Sequence, residues 1–411
     1  MTSSGTVELI GARLPGSPEL VDVAVDAGVV TGIRATGSSR EPAKRPRLAA
    51  DGRWLLPGFW DEHVHFATWA AHSRRIDVSE ATSAAAVAEA ARRAAELNPA
   101  GPLALVGFRD GLWADAPDRA LFDAAAPGRE IVAVSGDLHC AWLSGAALRR
   151  AGLGDHPTGL LREQDWFAVG TVYNAVSAET GDAWAADAAR AAARRGVIGI
   201  VDLEMTWNRA DWMRRRAAGF DTLRVECGFY PADLDLALST GARTGDPVEG
   251  DALISAGPLK IITDGSLNTR TAWCFDPYPG LSGPDACGVV TTPPEELVQL
   301  MERGAAGGLT PAVHAIGDRA NAAALDAFET VGCGGRIEHA QLLRWADLDR
   351  FARLGLIASM QPEHALDDRD VADRHWPGRT DRAYALASLL ARGVRLALGS
   401  DAPVAALDPW V

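Results

Sequence analysis

The chain has 411 residues, of which 47% are hydrophobic and 23% charged, and its formal net charge is −14. That length and apolar share predict a globular protein with a large core, sized for a big α/β barrel with an accessory domain. The negative charge argues against a nucleic-acid binder, which needs a basic surface to meet phosphate, and no stretch approaches the roughly twenty apolar residues of a membrane span.

The cysteines indicate a compartment. There are five of them, they are scattered, and no two form a CxxC pair. An odd number of scattered thiols is typical of a reducing environment, so we expect a cytoplasmic protein. We expect a small molecule as its substrate and no nucleic-acid or membrane partner, with a homodimer as a candidate assembly.

Residues 1–56 predict a small β unit. Apolar runs indicate three strands, at 7–10, 21–25 and 29–33. An Asp-Ala-Gly sequence at 26–28 predicts a hairpin turn, and a loop is expected at 38–42. So few strands bury little surface, so this unit is expected to need partners from elsewhere in the chain.

The next stretch mixes helices and strands. An Ala-, Glu- and Arg-rich run predicts a helix at 81–97, and a second helix is expected at 141–151. Apolar runs predict buried strands at 103–108 and 131–135. The span of about 67–185 is too long for one strand–helix step, so we expect an inserted subdomain there.

From residue 181 the pattern becomes a regular alternation. Strands are predicted at 197–203, 223–229, 259–263, 309–314, 335–339, 356–361 and 394–399. Helices are predicted at 183–195, 294–304, 321–331, 345–353 and 383–391. Together with the strand that ends at His65 there are eight strands, which predicts an α/β protein with a (β/α)8 TIM barrel.

The residues at the predicted strand ends suggest a metal site, because such barrels carry their chemistry at the C-terminal ends of the strands. His63 and His65 are two residues apart on extended chain, so their side chains point the same way and can bind one ion. Further polar residues belong to four other strands: Lys260, His314, His339 and Asp401. Each could be a hydrogen-bonded core residue or a turn cap, but six such placements by chance are improbable.

Lys260 fits a metal site only without its positive charge. Burial disfavours the ammonium form, and a neutral amine can take up carbon dioxide to give a carbamate, an anion whose two oxygens can bridge two cations. The alternative is an ion pair with Asp264 or Glu226 at the barrel mouth, and the sequence leaves both interpretations open.

The segments that carry these residues resemble the amidohydrolase superfamily of metal-dependent hydrolases, in its YtcJ-like branch (amidohydrolase family 3). They are LPGFWDEHVH at 56–65, KIITDGSLNTRTA at 260–272, VHAIGDRA at 313–320, RIEHAQ at 336–341 and GSDAPV at 399–404. The branch usually has Gly-Ser where Asn268 and Thr269 stand, so the loop beside the substrate is expected to differ in shape.

The resemblance also implies a domain arrangement. Residues 1–56 would be the N-terminal part of a composite β-sandwich, and 57–411 the hydrolase barrel with its insertion. Members of the branch continue beyond the last motif with a helix and closing strands. Because this chain stops at Val411, we expect that closing segment to be absent and residues 5–56 to lack those strands.

The resemblance implies a ligand set and a mechanism as well. His63, His65 and Asp401 would hold the more buried of two ions, Lys260 as a carbamate would bridge both, and His314 and His339 would hold the second. Zinc is the default metal, with iron, manganese or cobalt as alternatives. A metal-bridged hydroxide would attack the substrate, and Asp401 would act as the catalytic proton shuttle.

Three further residues are candidates for binding substrate. His139 resembles the insertion motif of the branch, Arg270 could bind an anionic group or stabilise the oxyanion, and His364 follows a strand end. For each, a structural hydrogen bond or salt bridge is an equal alternative.

Three functions follow from these residues. The first is hydrolysis of a non-peptide, amide-type C–N bond in a small molecule. An esterase, lactonase or deaminase on the same scaffold is an alternative, since the same nucleophile attacks those carbons. A catalytically inactive, metal-binding regulatory protein is an alternative of a different class.

Overall fold

The computed structural model describes residues 6–38, 46–174 and 176–411. The predicted loop at 38–42 lies, apart from Ser38, outside the described residues. The chain divides into two compact units, Met1–Gly58 and Phe59–Val411.

The first unit is a four-stranded sheet. Its strands are β1 (Val7–Arg13), β2 (Leu20–Asp26), β3 (Val29–Ala35) and β4 (Arg47–Ala49). They lie in the order β3-β2-β1-β4, with the first three antiparallel and β4 parallel to β1. The predicted hairpin is present, since Asp26 pairs with Val29. Ala27 and Gly28 both have positive φ, 48° and 79°, as a two-residue type I′ turn requires.

The second unit opens with one barrel strand and then leaves the barrel. Strand β5 (Phe59–Val64) is followed by helix α1 (Phe66–His72) and by a separate five-stranded sheet. The strands of this sheet are β6 (Ile76–Asp77), β7 (Leu103–Phe108), β8 (Ile131–Ser135), β9 (Cys140–Leu143) and β10 (Leu160–Arg162), in the order β10-β9-β8-β7-β6. Its helices are α2 (Ala84–Leu97), α3 (Arg119–Ala125), α4 (Gly145–Arg150) and α5 (Gln164–Asn174).

The helix predicted at 141–151 is wrong in its first part. Residues Cys140–Leu143 form β9, which pairs antiparallel with β8, and all four are buried. The helix begins only at Gly145, where the Ser144 side chain accepts a hydrogen bond from the Ala147 N–H. The weak helical preference of these residues is overridden because burial between two neighbouring strands stabilises them more.

Helix α6 (Ala178–Arg194) returns the chain to the barrel. The remaining barrel strands are β11 (Val197–Asp202), β12 (Arg224–Phe229), β13 (Ile254–Ile262), β14 (Pro311–Ala315), β15 (Arg336–His339), β16 (Ile357–Met360) and β17 (Arg395–Leu398). The remaining helices are α7 (Asn208–Ala217), α8 (Leu234–Ser239), α9 (Pro294–Gly307), α10 (Asp318–Val331), α11 (Leu348–Leu354), α12 (Pro362–Asp367), α13 (Arg369–His375) and α14 (Leu386–Leu390).

The eight parallel strands follow chain order from β5 and β11 to β17. The ring nearly closes where the chain after β17 returns to β5, through a parallel bridge between Val64 and Ala402. This confirms the predicted (β/α)8 barrel with a subdomain inserted after its first strand.

Most barrel strands are apolar because the barrel buries them on both faces, whereas β17 is partly exposed. All five residues of β14 are buried, and side chains of successive strands, such as Val313 and Ile337, pack in one core cluster with α9 and α10. Truncating a buried leucine or isoleucine in such a core to alanine costs about 2–5 kcal/mol. This packing fixes the strands whose C-terminal ends carry the candidate site.

Candidate metal centre

His63 is fully buried on β5, and a carboxylate holds its ring. Its Nδ1 lies 2.6 Å from Oε2 of Glu338, and Arg336 donates to the same carboxylate. Burial by itself raises the pKa of Glu338, but the Arg336 guanidinium outweighs it and holds that pKa well below its usual range. The carboxylate therefore accepts the Nδ1 proton, which leaves the Nε2 lone pair of His63 facing the barrel centre.

His339 is fixed in the same way from another strand. Its Nδ1 lies 2.9 Å from Oε1 of Gln361, an acceptor, so Nδ1 carries the proton and Nε2 is free. The His314 ring lies 4.6 Å from the His339 ring, centroid to centroid. Burial and the adjacent His314 lower the pKa of His339 well below its ordinary value, and a neutral imidazole is the form that binds metal.

Asp401 reaches these histidines from the loop after β17. Its Oδ1 lies 3.5 Å from Nε2 of His63 and 3.4 Å from Nε2 of His65. The Asp401 N–H donates to the His63 carbonyl at 2.7 Å, and the Asp61 carboxylate accepts from the N–H and hydroxyl of Ser400. Burial alone raises the pKa of Asp401, but His63 and His65 outweigh it and keep the side chain ionised.

The residues fit a divalent metal. The ligand atoms of His63, His339 and Asp401 all lie within 4.8 Å of one another. Asp401 Oδ1 and His314 Nε2 are buried without a hydrogen-bond partner, although buried polar atoms are normally paired. Neutral imidazoles together with a carboxylate are a donor set suited to zinc and to neighbouring transition metals.

Lys260 lies inside the same group. Its Nζ is 3.1 Å from Nε2 of His63, and its side chain is fully buried. Burial lowers the pKa of Lys260 to about 8, against the opposing effect of the Glu338 charge. About a tenth of this amine is therefore neutral at pH 7, far more than for an exposed lysine.

The predicted residues meet at one cavity of about 120 Å³. All six predicted ligands line it: His63, His65, Lys260, His314, His339 and Asp401. His139 and His364 line it as well. Arg270 is not among its lining residues, although Asn268 in the same loop is.

The two cavity histidines outside the predicted ligand set, His139 and His364, differ in their contacts. Nδ1 of His139 lies 2.8 Å from Oε2 of Glu163. Burial alone lowers the pKa of His139, but the Glu163 charge raises it to about 9. Nε2 of His364 is buried without a hydrogen bond, 3.9 Å from Oδ2 of Asp401.

Several residues of the site were missed in the sequence. Glu338 and Gln361 hold the ligand rings, and Arg109 lines the cavity from the inserted subdomain. Their signal was a polar residue at a predicted strand end: Glu338 precedes His339, Gln361 ends the strand predicted at 356–361, and Arg109 follows that at 103–108. The sequence pattern does not indicate which of these polar side chains point into the barrel.

Comparison with protein-family models places the chain. A model described as the amidohydrolase family matches residues 48–411. The chain belongs to the amidohydrolase family. Within the family it lies in the YtcJ-like branch, as its strand-end motifs predicted, and it is a metal-dependent hydrolase that acts on carbon–nitrogen bonds.

Two curated relatives belong to this comparison. A putative amidohydrolase YtcJ from Bacillus subtilis (strain 168) is 26% identical over 430 residues, covering 94% of this chain and 78% of the relative. An N-substituted formamide deformylase from Arthrobacter pascens is 26% identical over 407 residues, covering 88% and 73%.

A solved structure has the same fold. It is an uncharacterized metal-dependent hydrolase from Pyrococcus furiosus, with a TM-score of 0.77 and 23% identity, covering 98% of this chain and 87% of that one. Within the part of the chain that the structure describes, no helix of this amidohydrolase is long and apolar enough to cross a membrane.

Proposed function

We propose that this amidohydrolase cleaves a non-peptide, amide-type C–N bond of a small molecule, with Asp401 as the proton shuttle. The observation that carries the proposal is the convergence of His63, His339 and Asp401 at one end of the barrel, with Nδ1 of each imidazole already held. The Arthrobacter pascens relative, a formamide deformylase by name, supports an amide as the substrate.

We assign the ligands of two ions, most simply zinc, as follows. His63, His65 and Asp401 would hold one ion, His314 and His339 would hold the other, and Lys260 as a carbamate would supply anionic oxygen ligands to both. Bound divalent ions polarise a carbonyl and lower the pKa of water toward about 7. The burial of Lys260 and its depressed pKa support the carbamate, since only the neutral amine reacts with carbon dioxide.

Asp401 moves the proton in this proposal. Its carboxylate stays ionised in the structure and one of its oxygens is free of hydrogen bonds. It takes a proton from the attacking water and delivers it to the leaving nitrogen, so that the amine departs neutral. His139 and His364, which also line the cavity, donate hydrogen bonds that orient the substrate, whereas Arg270 lies outside the cavity lining and is given no contact with the substrate.

The test joins metal content to turnover. Purified protein is expected to hold about two equivalents of metal and to lose hydrolysis of small amides when a chelator removes them. A His63→Ala variant is expected to lose both, while His72→Ala, a histidine of α1 that does not line the cavity, retains both. Full activity in His63→Ala would refute the proposal, and turnover of lactones or amidines but not of amides would replace its reaction class.

The proposal also covers the domain organisation, the cellular location and the assembly. We propose that residues 1–56 form part of a composite β-sandwich domain and that 57–411 form the catalytic barrel. The described cysteines are all free, which supports a reducing, cytoplasmic location. A homodimer is the assembly to test by light scattering.

A further inference from the structure

We infer that the cavity selects neutral amides against substrates that carry a carboxylate beside the scissile bond, and that the Arg109–Asp367 ion pair sets this selectivity. The inference rests on the proposed function and names its substrate class. It concerns the wall of the cavity away from the metal ligands.

Among the residues that the structure describes, one arginine lines the cavity, Arg109, and it is already paired with a carboxylate. Arg109 Nη2 donates to Oδ2 of Asp367 at 2.8 Å. The two residues come from different parts of the chain, since Arg109 follows β7 of the inserted sheet and Asp367 ends α12. Both line the cavity. A substrate carboxylate would have to share this guanidinium with Asp367, whose negative charge would repel it.

His139 on the wall is paired with a carboxylate as well. Its Nδ1 lies 2.8 Å from Oε2 of Glu163, which lies outside the cavity lining. Glu163 is itself fixed by the hydroxyls of Thr269 and Thr271, at 2.9 and 2.6 Å. The His139–Glu163 pair therefore offers a substrate no uncompensated positive charge, and the His139 ring suits a neutral carbonyl oxygen.

Two further carboxylates on the wall have neutral hydrogen-bond partners. Asp137 accepts from the hydroxyls of Ser135 and Ser266, at 2.6 and 2.8 Å. Asp368 accepts from Gln341 Nε2 at 2.8 Å and from the Tyr384 hydroxyl at 2.5 Å. Hydrogen bonds from neutral groups leave the charge of a carboxylate in place, so this wall repels a second anion.

Much of the remaining wall is apolar, although the polar side chains of Ser266, Asn268 and Gln341 also line the cavity. Leu138 and Phe167 line it from the inserted subdomain, and Leu267 and Val371 line it from the barrel. An uncharged, apolar substituent on the amide nitrogen loses water favourably against such residues, whereas a charged substituent loses hydration without a partner. Charge and apolarity thus favour the same substrate, a neutral amide with an apolar N-substituent.

Three matched formamides test the inference by formate release from the metal-loaded enzyme. N-(2-phenylethyl)formamide is neutral, N-formylphenylalanine adds one carboxylate, and N-formylphenylalanine amide replaces that carboxylate by a neutral group of similar size. We expect kcat/KM for the carboxylate compound to be at least about tenfold below both neutral compounds, as like-charge juxtaposition predicts. Equal or faster cleavage of N-formylphenylalanine would refute the inferred selectivity against carboxylates and leave the proposed function intact.

A nearly isosteric variant tests the role of the ion pair. Asp367→Asn frees the Arg109 guanidinium and is expected to raise the kcat/KM ratio of N-formylphenylalanine to the neutral formamide about tenfold or more. The matched control is Asp370→Asn, three residues further on, whose side chain is 65% exposed and pairs with Arg369. It is expected to leave the ratio unchanged. An unchanged ratio in Asp367→Asn refutes the assignment to this pair.

A binding measurement tests the selectivity against carboxylates independently of catalysis. Calorimetry with metal-free protein gives Kd for the three formamides without turnover. The same order of affinities is expected, and Asp367→Asn is expected to shift it toward the carboxylate compound. If none of the three releases formate, the proposed function fails for formamides, and the order of the calorimetric Kd values alone tests the selectivity. Equal Kd values for the neutral and carboxylate compounds would refute the inferred selectivity.

Discussion

Nδ1 of His63 lies 2.6 Å from Oε2 of Glu338, the residue immediately before another predicted ligand, His339. One β15 dipeptide thus contributes both an imidazole for the centre and the carboxylate that orients an imidazole on β5. Carboxylate–histidine pairs of this kind fix the ring and raise its basicity toward a metal. This contact motivates the first prediction.

Glu338→Gln is expected to lower metal affinity by about 10–100-fold, because an amide no longer fixes the tautomer and orientation of His63. The measurement is competitive metal binding against a chromophoric chelator, with thermal unfolding to establish that the variant is folded. Glu329→Gln changes a half-exposed glutamate of α10 and is expected to bind metal like the parent. Parent-like affinity in Glu338→Gln would contradict the proposed role.

Gly399→Ala is expected to damage the centre through the backbone. A Cβ at this position would lie 2.5 Å from the main-chain nitrogen of His63 and 3.0 Å from Oδ1 of Asp61. The two segments must move apart, so we expect a loss of more than about 1 kcal/mol in the free energy of unfolding and weaker metal binding. Gly334→Ala, whose Cβ would meet nothing within 4 Å, is the control for denaturant unfolding. Equal effects of the two changes would show that this close approach is not important.

The His139–Glu163 pair predicts a pH dependence of stability. The pKa of His139 is raised from its ordinary 6.5 to about 9, so this contribution is fully present below about pH 6.5 and is lost as the pH rises through 9. Glu163→Gln removes it and is expected to cost on the order of 1–3 kcal/mol at pH 6 and much less at pH 10. Thermal unfolding at both pH values checks this, with the exposed Glu179→Gln as control. A cost independent of pH would argue against a charged pair.

Lys260 predicts that metal uptake depends on bicarbonate. With its pKa at about 8, the neutral fraction of the amine rises from pH 7 to pH 9, and carbamate formation should rise with it. Metal-free protein is therefore expected to take up metal more completely with bicarbonate, and the gain should grow over this range. Lys260→Met should abolish the bicarbonate effect. Metal uptake by the parent protein that does not change with bicarbonate would refute the proposed carbamate on Lys260.

The sequence was most informative where local pattern determines structure. Alternation of apolar strands with helices predicted the barrel, and the short motifs around His63, His339 and Asp401 predicted residues that do meet at one cavity. It failed at Cys140–Leu143, where burial in the inserted sheet decides the conformation. It also missed Glu338 and Gln361 as partners of the ligand rings, because such contacts depend on which strand ends come together inside the barrel.

The wall of the cavity was the least predictable part. Arg270 has the chemistry expected of an anion-binding residue, yet Arg109, from the inserted subdomain, is the arginine that lines the cavity. Its pairing with Asp367 joins segments that are distant in the chain. Specificity here arises from loops that no repeating pattern governs.

The hydrogen bond from Asp401 to the His63 carbonyl has a consequence for how the enzyme is made. The centre lies where the first and last strands of the barrel meet, so a nascent chain on the ribosome carries two histidines of the site long before its aspartate is synthesised. Contacts between such distant residues form late in folding. Metal capture by this protein would therefore report that the ring of strands has been completed.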